Sequence, residues 1–126
     1  MKSYTDIEQS KKLAEILPPE SADMLYVYDR HLDKLYGDTP YVIGYKVLNE
    51  NVDIPCWSLA ALLEQIPSDL GSQTLTIEKC DSEPFKYGLN YHDRWGREDD
   101  IQTKYYDDLV DACYEMILNL HEQKLL

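Results

Sequence analysis

Residues 85–92 read FKYGLNYH, and this stretch alternates large apolar side chains with polar or small ones. Because successive side chains of a β-strand point to opposite faces, the alternation predicts a strand with one aromatic, buried face. We expect neighbouring strands at residues 73–79 and at about 97–106. Residues 93–96 (DRWG) supply a turn-forming aspartate and a glycine, and therefore predict a hairpin between the last two strands.

Helical spacing of apolar residues predicts three helices. The clearest covers residues 108–124, which place Leu109, Cys113, Met116, Ile117 and Leu120 on one side. A shorter helix begins in the capping-box sequence of residues 5–8 (TDIE) and ends before Pro18. The third covers residues 59–66, and Ser58 is its predicted N-cap.

Two further strands are predicted in the first half of the chain. Residues 24–28 and 41–48 are rich in β-branched and aromatic side chains, and residues 31–40 (HLDKLYGDTP) read as a polar connection between them. Together these elements predict an α+β fold, in which an antiparallel sheet of about five strands carries about three helices on one face. The length of 126 residues predicts a single domain over residues 1–126.

Charge restricts the partners that the chain can attract. The net charge is −12, and residues 98–126 alone contribute −6. Such a balance disfavours direct binding of nucleic acid or anionic membranes and favours a basic protein partner. The chain has no long apolar segment and begins without the features of a signal peptide, so we expect a cytoplasmic protein.

Enzymatic sites are weakly indicated. Cys56 precedes a predicted helix, where a thiolate can be stabilised, yet no spacing ties it to His31, His92 or His121, and a buried structural cysteine is favoured. The hairpin region offers possible metal ligands without any established spacing: His92, Asp93, Glu98, Asp99 and Asp100. Nucleotide-binding glycine motifs are absent, and we expect no cofactor.

Two other features are typical of interaction surfaces. Arg94, Trp95 and Arg97 combine, at a predicted hairpin tip, the residue types that dominate binding hot spots. The alternative is that Trp95 folds back over the sheet. The chain also has eleven tyrosines and one phenylalanine, and tyrosine favours both strands and interfaces. Those on predicted strands are Tyr26, Tyr28, Tyr41, Tyr45, Tyr87 and Tyr91.

The last helix presents an acidic face formed by Asp108, Asp111, Glu115 and Glu122. A regular row of carboxylates can imitate nucleic acid and occupy the basic groove of a DNA-binding protein. The simpler interpretation is a solvated surface that maintains solubility.

Residues 53–64 (DIPCWSLAALLE) and 106–116 (YDDLVDACYEM) resemble a group of short uncharacterised proteins carried by phages and mobile elements of gut bacteria. The similarity covers nearly the whole chain. That group has no assigned reaction, cofactor or catalytic residue, so the resemblance implies a compact cytosolic or virion-associated protein and transfers no active site.

The sequence therefore favours a non-enzymatic interaction or accessory protein, in one form an acidic inhibitor of a basic or nucleic-acid-binding partner. Two alternatives stay open. One is a small enzyme that uses Cys56 or a carboxylate cluster, and the other is a structural component of a phage or another assembly.

Overall fold

The structure is a computed structural model, and it describes residues 2–43, 53–80, 86–93 and 101–126. The backbone forms two compact units, one of Ser3–Ala61 and one of Leu62–Leu126 with Lys2. Helices and antiparallel strands occur together, which confirms the mixed α+β class. The prediction of a single domain stays a prediction.

The unit Ser3–Ala61 contains one complete helix and five short strands. They are α1 (Ile7–Ala14), β1 (Met24–Tyr26), β2 (Tyr28–Asp29), β3 (Lys34–Leu35), β4 (Tyr41–Val42) and β5 (Ile54–Cys56), with a 3₁₀ turn at Pro19–Ser21. The strands form two antiparallel sheets, with the orders β4-β1-β5 and β2-β3. Pro55 occupies the edge strand β5, where its missing N–H costs little.

The capping box of α1 lies one residue later than predicted. Asp6 is the N-cap and accepts the backbone N–H of Gln9, whose side chain accepts the N–H of Asp6 in return. Thr5 was the expected cap, but its hydroxyl is buried and shares a hydrogen bond with Ser10. Because the Thr5 hydroxyl is engaged inside the fold, the side chain of the next residue, Asp6, caps the helix instead.

The predicted strand at residues 24–28 divides at Val27. The part before Val27 is β1, which pairs with β4 and β5, while β2 turns away to pair with β3. Residues 31–40 are therefore more than a polar connection, and that interpretation was wrong. The Asp29 side chain accepts two backbone N–H groups and thereby stabilises a turn. The strand pattern of the sequence did not indicate this turn.

The unit Leu62–Leu126 with Lys2 contains a three-stranded sheet and the longest helix. Its elements are β6 (Asp69–Leu70), β7 (Gln73–Lys79), β8 (Tyr87–Asp93) and α3 (Leu109–Glu122), and the sheet order is β6-β7-β8. Strands β7 and β8 confirm the predictions, although Phe85 lies outside the described residues. Strand β6 was not predicted; it joins β7 through a two-residue turn, in which Gly71 has a φ of 62°.

Residues 101–106 lie along β8 but do not form the regular strand that we expected. They make two isolated antiparallel bridges, Asn90 with Gln102 and Tyr87 with Tyr106. Between them the Thr103 hydroxyl accepts the N–H of Leu89 at 2.9 Å. A side chain thus replaces a backbone carbonyl in the ladder, which interrupts the strand. Residues 97–100 of that prediction lie outside the described residues.

Helix α3 agrees with its prediction. Asp108 is the N-cap residue, and the helix packs against β8. Its buried side chains are Val110, Ala112, Cys113, Met116, Ile117 and Leu120. Helix α2 (Leu59–Gln65) also agrees: the Ser58 hydroxyl accepts the N–H of Ala61 at 3.2 Å, which confirms Ser58 as its N-cap.

One sheet of about five strands was the wrong architecture. The described strands form three antiparallel sheets of two or three strands each. Every described strand before residue 60 has only two or three residues, and the turn at Asp29 separates these strands into two sheets. The apolar pattern indicated β1, β4, β7 and β8 but not β3, β5 or β6.

Candidate functional site

The β2–β3 hairpin and β4 carry the exposed large apolar side chains that are described in the unit Ser3–Ala61. Oδ1 of Asp29 accepts the N–H groups of His31 and Leu32, at 2.8 and 3.3 Å. The turn closes with Asp33 at a φ of 52°, a conformation that aspartate tolerates better than most residues. The N–H of Tyr36 then donates to the carbonyl of Val27 at 2.6 Å. These bonds fix the backbone on which Tyr36 stands.

A cavity of about 280 Å³ opens beside this hairpin. Its lining residues are Val27, Tyr28, Asp29, Arg30, Tyr36 and Tyr41, and we call it the tyrosine cavity. The rings of Tyr36 and Tyr41 have centroids 6.5 Å apart and are tilted by 36°. Three tyrosines, one aspartate and one arginine are therefore among the residues that line this open space.

Four large apolar side chains between residues 32 and 42 are exposed, and two of them, Tyr36 and Tyr41, line the cavity. Leu32, Tyr36, Tyr41 and Val42, which we call the tyrosine surface, are 58, 54, 42 and 69% exposed. They are half of the large apolar residues that are exposed in the described part of the chain; the others are Ile77, Tyr105, Leu125 and Leu126. Clustered exposure of this kind marks interaction sites, whereas single exposed residues are ordinary.

Three of the four carboxylates on the predicted acidic face already have partners within the chain. Oδ1 of Asp108 accepts the backbone N–H of Lys2 at 2.6 Å, and Asp111 forms an ion pair with the Lys2 ammonium group at 2.7 Å. Glu115 accepts the N–H of Lys104 at 3.3 Å. Of the four, only Glu122 is exposed rather than half-buried. These carboxylates hold α3 to neighbouring segments of its own unit.

Glu115 also acts on Tyr106. Burial, followed by the hydrogen bond and the negative charge of Glu115, raises the pKa of Tyr106 to about 12. The phenol therefore stays protonated and donates to the carboxylate at neutral pH. This is the setting of a structural contact within the chain.

The predicted hot spot cannot be placed beside these features, because Arg94, Trp95 and Arg97 lie outside the described residues. Asp93, which begins the predicted turn, ends β8 and is buried. The hot-spot hypothesis stays a prediction.

Cys56 is sealed in the interior. Its side chain is 0% exposed, and Sγ donates to the carbonyl of Thr5 at 3.4 Å. Tyr26 donates to the same carbonyl at 2.7 Å. Burial raises the pKa of the Cys56 thiol, and hydrogen bonds from its neighbours offset only part of that effect. A thiolate nucleophile needs the opposite: exposure and a lowered pKa.

The histidines do not alter this assessment. His31 and His121 are exposed, in contrast to Cys56, and His92 is exposed on β8. Of the suggested metal ligands, residues 98–100 lie outside the described part. Within the described ranges, no three side chains of His, Cys, Asp or Glu group together as a metal site would require.

The six tyrosines on predicted strands take different positions, and Tyr87 is half-buried at the start of β8. Tyr26 and Tyr91 are core residues whose hydroxyls donate to the carbonyls of Thr5 and Pro67. Tyr28 and Tyr41 line the cavity, and the interface interpretation of tyrosine stays a prediction. Tyr45 lies outside the described residues. Sequence reasoning missed Tyr36 and Leu32, although two apolar residues in a supposedly polar connection were a usable signal.

A second cavity of about 480 Å³ lies in the other unit, lined by Leu70, Gly71, Ser72, Gln73, Ile101 and Leu125. The described residues of its lining include no charged side chain and no histidine. It offers apolar contact and little that would orient a ligand.

In comparisons with known proteins, no family model, no curated protein and no solved structure matches this chain. In the described residues, no helix combines the length and the apolar character needed to cross a membrane.

Proposed function

We propose that this chain is a non-enzymatic interaction protein and that it binds a protein partner through the tyrosine surface. The observation that carries the proposal is that four exposed large apolar side chains occur between Leu32 and Val42 and that two of them, Tyr36 and Tyr41, line a cavity. Aromatic residues are enriched in interfaces, where their rings bury a large area and the tyrosine hydroxyl stays near water.

The surroundings of this surface support a basic partner. Residues 3–61 contain ten acidic and five basic residues, and the whole chain has a net charge of −12. Such a field accelerates the approach of a positively charged protein and slows that of nucleic acid. The acidic face of α3 supports this role less well, because Asp108, Asp111 and Glu115 are engaged inside the chain.

The buried setting of Cys56 supports an interaction role over the thiol-enzyme alternative. A rigid backbone at the surface supports it too, because the side chain of Asp29 holds the hairpin turn in one conformation. A preorganised surface loses less entropy on binding than a mobile one.

Site-specific photo-crosslinking tests this proposal. A benzoylphenylalanine is placed at Tyr36 and, in a matched control, at Leu125, which is similarly exposed in the other unit. Each protein is irradiated in a lysate of its source cells, and the adducts are identified by mass spectrometry. We expect a discrete adduct from position 36 alone, suppressed by excess wild-type protein but not by a Tyr36→Ser, Val42→Ser variant.

The same adducts from both positions, or no adduct from position 36, would refute the proposal. An adduct that contains only a second copy of this chain would assign the surface to self-assembly instead. Light scattering of the wild type and of the Tyr36→Ser, Val42→Ser variant would then reveal an oligomer that depends on these two residues.

A further inference from the structure

Strand β7 has an open edge along its second half. On its partner β8, the odd-numbered residues from 87 to 91 direct their backbone N–H and C=O groups towards residues 101–106. Because successive residues of a strand direct these groups to opposite sides, the even-numbered residues of β8 bond to the even-numbered residues of β7. The backbone groups of Leu75, Ile77 and Lys79 consequently point to the other edge of β7.

Strand β6 fills only the beginning of that edge. It pairs with residues 73 and 74, and the N–H of Leu75 donates to the carbonyl of Ser68 at 2.9 Å. The residue before Ser68 turns elsewhere, since the carbonyl of Pro67 accepts the Tyr91 hydroxyl. Among the described residues, none bonds to the outward backbone groups of Ile77 or Lys79. Two N–H and two C=O groups are therefore available at this edge.

The sheet β4-β1-β5 treats its edge differently. The N–H of Ile43 donates to the carbonyl of Asp23, so Leu25, two residues later, also directs its backbone groups towards β4. Its neighbour across β5 is Pro55, which therefore stands at the outward side of that strand without an N–H. Proline in such a position hinders pairing with another chain. Strand β7 has no proline, and its edge can both donate and accept.

The side chains beside the open edge differ between the two faces of the sheet. Ile77 is 47% exposed on one face. Glu78 lies on the other face, where its carboxylate accepts the amide of Asn90 at 2.9 Å and the hydroxyl of Tyr105. Both donors are neutral, so they fix the carboxylate in place without cancelling its charge. A strand added at this edge would contact Ile77 and place one side chain next to Glu78.

A second copy of the chain fits this edge poorly. Because Ser68 already stands beside Leu75, an antiparallel pair of copies that uses both open residues must place Glu78 opposite Glu78. Like charges directly opposite each other destabilise a strand pair, and each copy carries a net charge of −12. A segment with lysine or arginine at that position replaces the repulsion by attraction.

We propose that the open edge of β7 binds an extended segment of a protein partner, which adds a strand to the sheet and places a lysine or arginine beside Glu78. Strand addition of this kind takes its affinity from backbone hydrogen bonds and its specificity from alternate side chains. The site lies in the unit Leu62–Leu126 and does not depend on the tyrosine surface.

Short peptides test the proposal. The probes are acetyl-Thr-Val-X-Val-Thr-amide, in which X is arginine, norleucine or glutamate. When X lies beside Glu78, the two valines direct their backbone groups towards Ile77 and Lys79. We expect the arginine peptide to shift the amide NMR signals of these two residues, with a roughly millimolar dissociation constant. Norleucine should weaken binding roughly two- to fivefold, and glutamate should weaken it further.

N-methylated peptides show whether the backbone is what β7 recognises. Methylation of both valine nitrogens of the arginine peptide removes the donors that face β7, and we expect binding to fall at least tenfold. Methylation of the arginine nitrogen is the matched control, because that N–H faces away from the sheet. It should change binding by less than about twofold.

Variants of β7 test the same contact from the protein side. Ile77→Pro removes an outward N–H and leaves the β7–β8 ladder intact, because that ladder uses the even-numbered residues. We expect it to weaken arginine-peptide binding at least tenfold. Ile77→Thr, which keeps the N–H, should lose much less. Glu78→Gln should abolish the preference for arginine over norleucine. Unchanged amide signals of β8 show that each variant is folded, and the methylated peptides test the contact should the proline variant unfold.

Three results would overturn the proposal. They are equal binding of the two methylated peptides, tighter binding of the glutamate peptide, and no shift of the Ile77 and Lys79 signals. Shifts of these signals on raising the protein concentration alone would assign the edge to self-pairing and would overturn it too. The crosslink from position 36 is independent of each of these results, so the two proposals fail separately.

Discussion

The ammonium group of Lys2 lies 2.7 Å from Oδ1 of Asp111, and the backbone nitrogen of Lys2 donates to Asp108 at 2.6 Å. One residue near the start of the chain thus engages two carboxylates at the beginning of α3. Carboxylates are favourable at this end of a helix because they face the unpaired N–H groups of its first turn. The acidic face therefore has a structural role.

Lys2→Met removes the ammonium group and keeps most of the aliphatic stem. We expect the free energy of unfolding in urea to fall by roughly 0.2–1 kcal/mol, since the pair is only partly exposed. High salt should narrow the difference from the wild type. Lys12→Met is the control, because its pair with Glu15 is more exposed and should contribute less. A loss that does not depend on salt would contradict the ion-pair explanation.

Gly88 lies directly beneath Tyr105. A Cβ atom at position 88 would stand 3.1 Å from two carbons of the Tyr105 ring, closer than ordinary van der Waals contact. Gly88→Ala should therefore displace the ring and disturb the hydrogen bond from its hydroxyl to Glu78.

A double-mutant cycle with Tyr105→Ala isolates this contact. We expect Gly88→Ala to be less favourable in the wild type than in the Tyr105→Ala background, by roughly 0.5–1.5 kcal/mol of unfolding free energy. Urea denaturation of the four proteins measures the coupling. A coupling of zero would mean that the ring moves aside without cost.

Native alkylation separates the cysteines. Cys80 is half-buried, whereas Cys56 and Cys113 are fully buried, and burial raises the pKa of Cys113 to about 12. We expect iodoacetamide at neutral pH to modify Cys80 first, and the other two only in denaturant. Peptide mapping by mass spectrometry gives the order. Rapid modification of native Cys56 would revive the thiol-enzyme alternative.

Alkaline pH should unfold the protein through its buried phenols. Burial raises the pKa of Tyr91 to about 12, and burial with the influence of Glu115 does the same for Tyr106. Because these folded values exceed the ordinary pKa of about 10, the associated stability is complete below pH 10. It is lost as the pH rises towards 12.

Ultraviolet absorbance of tyrosinate should accordingly show an early phase from exposed tyrosines and a late phase that coincides with unfolding. Tyr106→Phe should reduce the amplitude of the late phase. Glu115→Gln removes a negative charge beside Tyr106 and should lower its pKa. A single phase near pH 10 would contradict the assignment.

The sequence was informative where periodicity and burial agree. Helix α3 and strand β7 lie where their apolar patterns placed them. The hairpin of β2 and β3 was missed because its strands have two residues each, too few to establish a period. Its determinant is the Asp29 side chain, whose bonds to the backbone appear only in three dimensions.

The composition of the proposed tyrosine surface could be expected from the sequence better than its position. An excess of tyrosine and of negative charge pointed to an interaction surface, and Tyr28 and Tyr41 were among the residues considered. The roles of Asp108 and Asp111 could not be foreseen, because their partner Lys2 is more than a hundred residues away in the sequence. Helical periodicity shows which side chains point outward but not what another segment places against them.

The buried position of Trp57 makes its fluorescence a probe of unfolding. The indole is fully buried in the unit Ser3–Ala61, and its N–H donates to the Ser21 hydroxyl at 2.9 Å. In a Trp95→Phe variant, Trp57 is the only tryptophan, so its fluorescence reports the loosening of that unit alone. The thiol of Cys113, buried in the other unit, gives a chemical signal for the second. If the chain folds as one domain, both signals change at the same urea concentration.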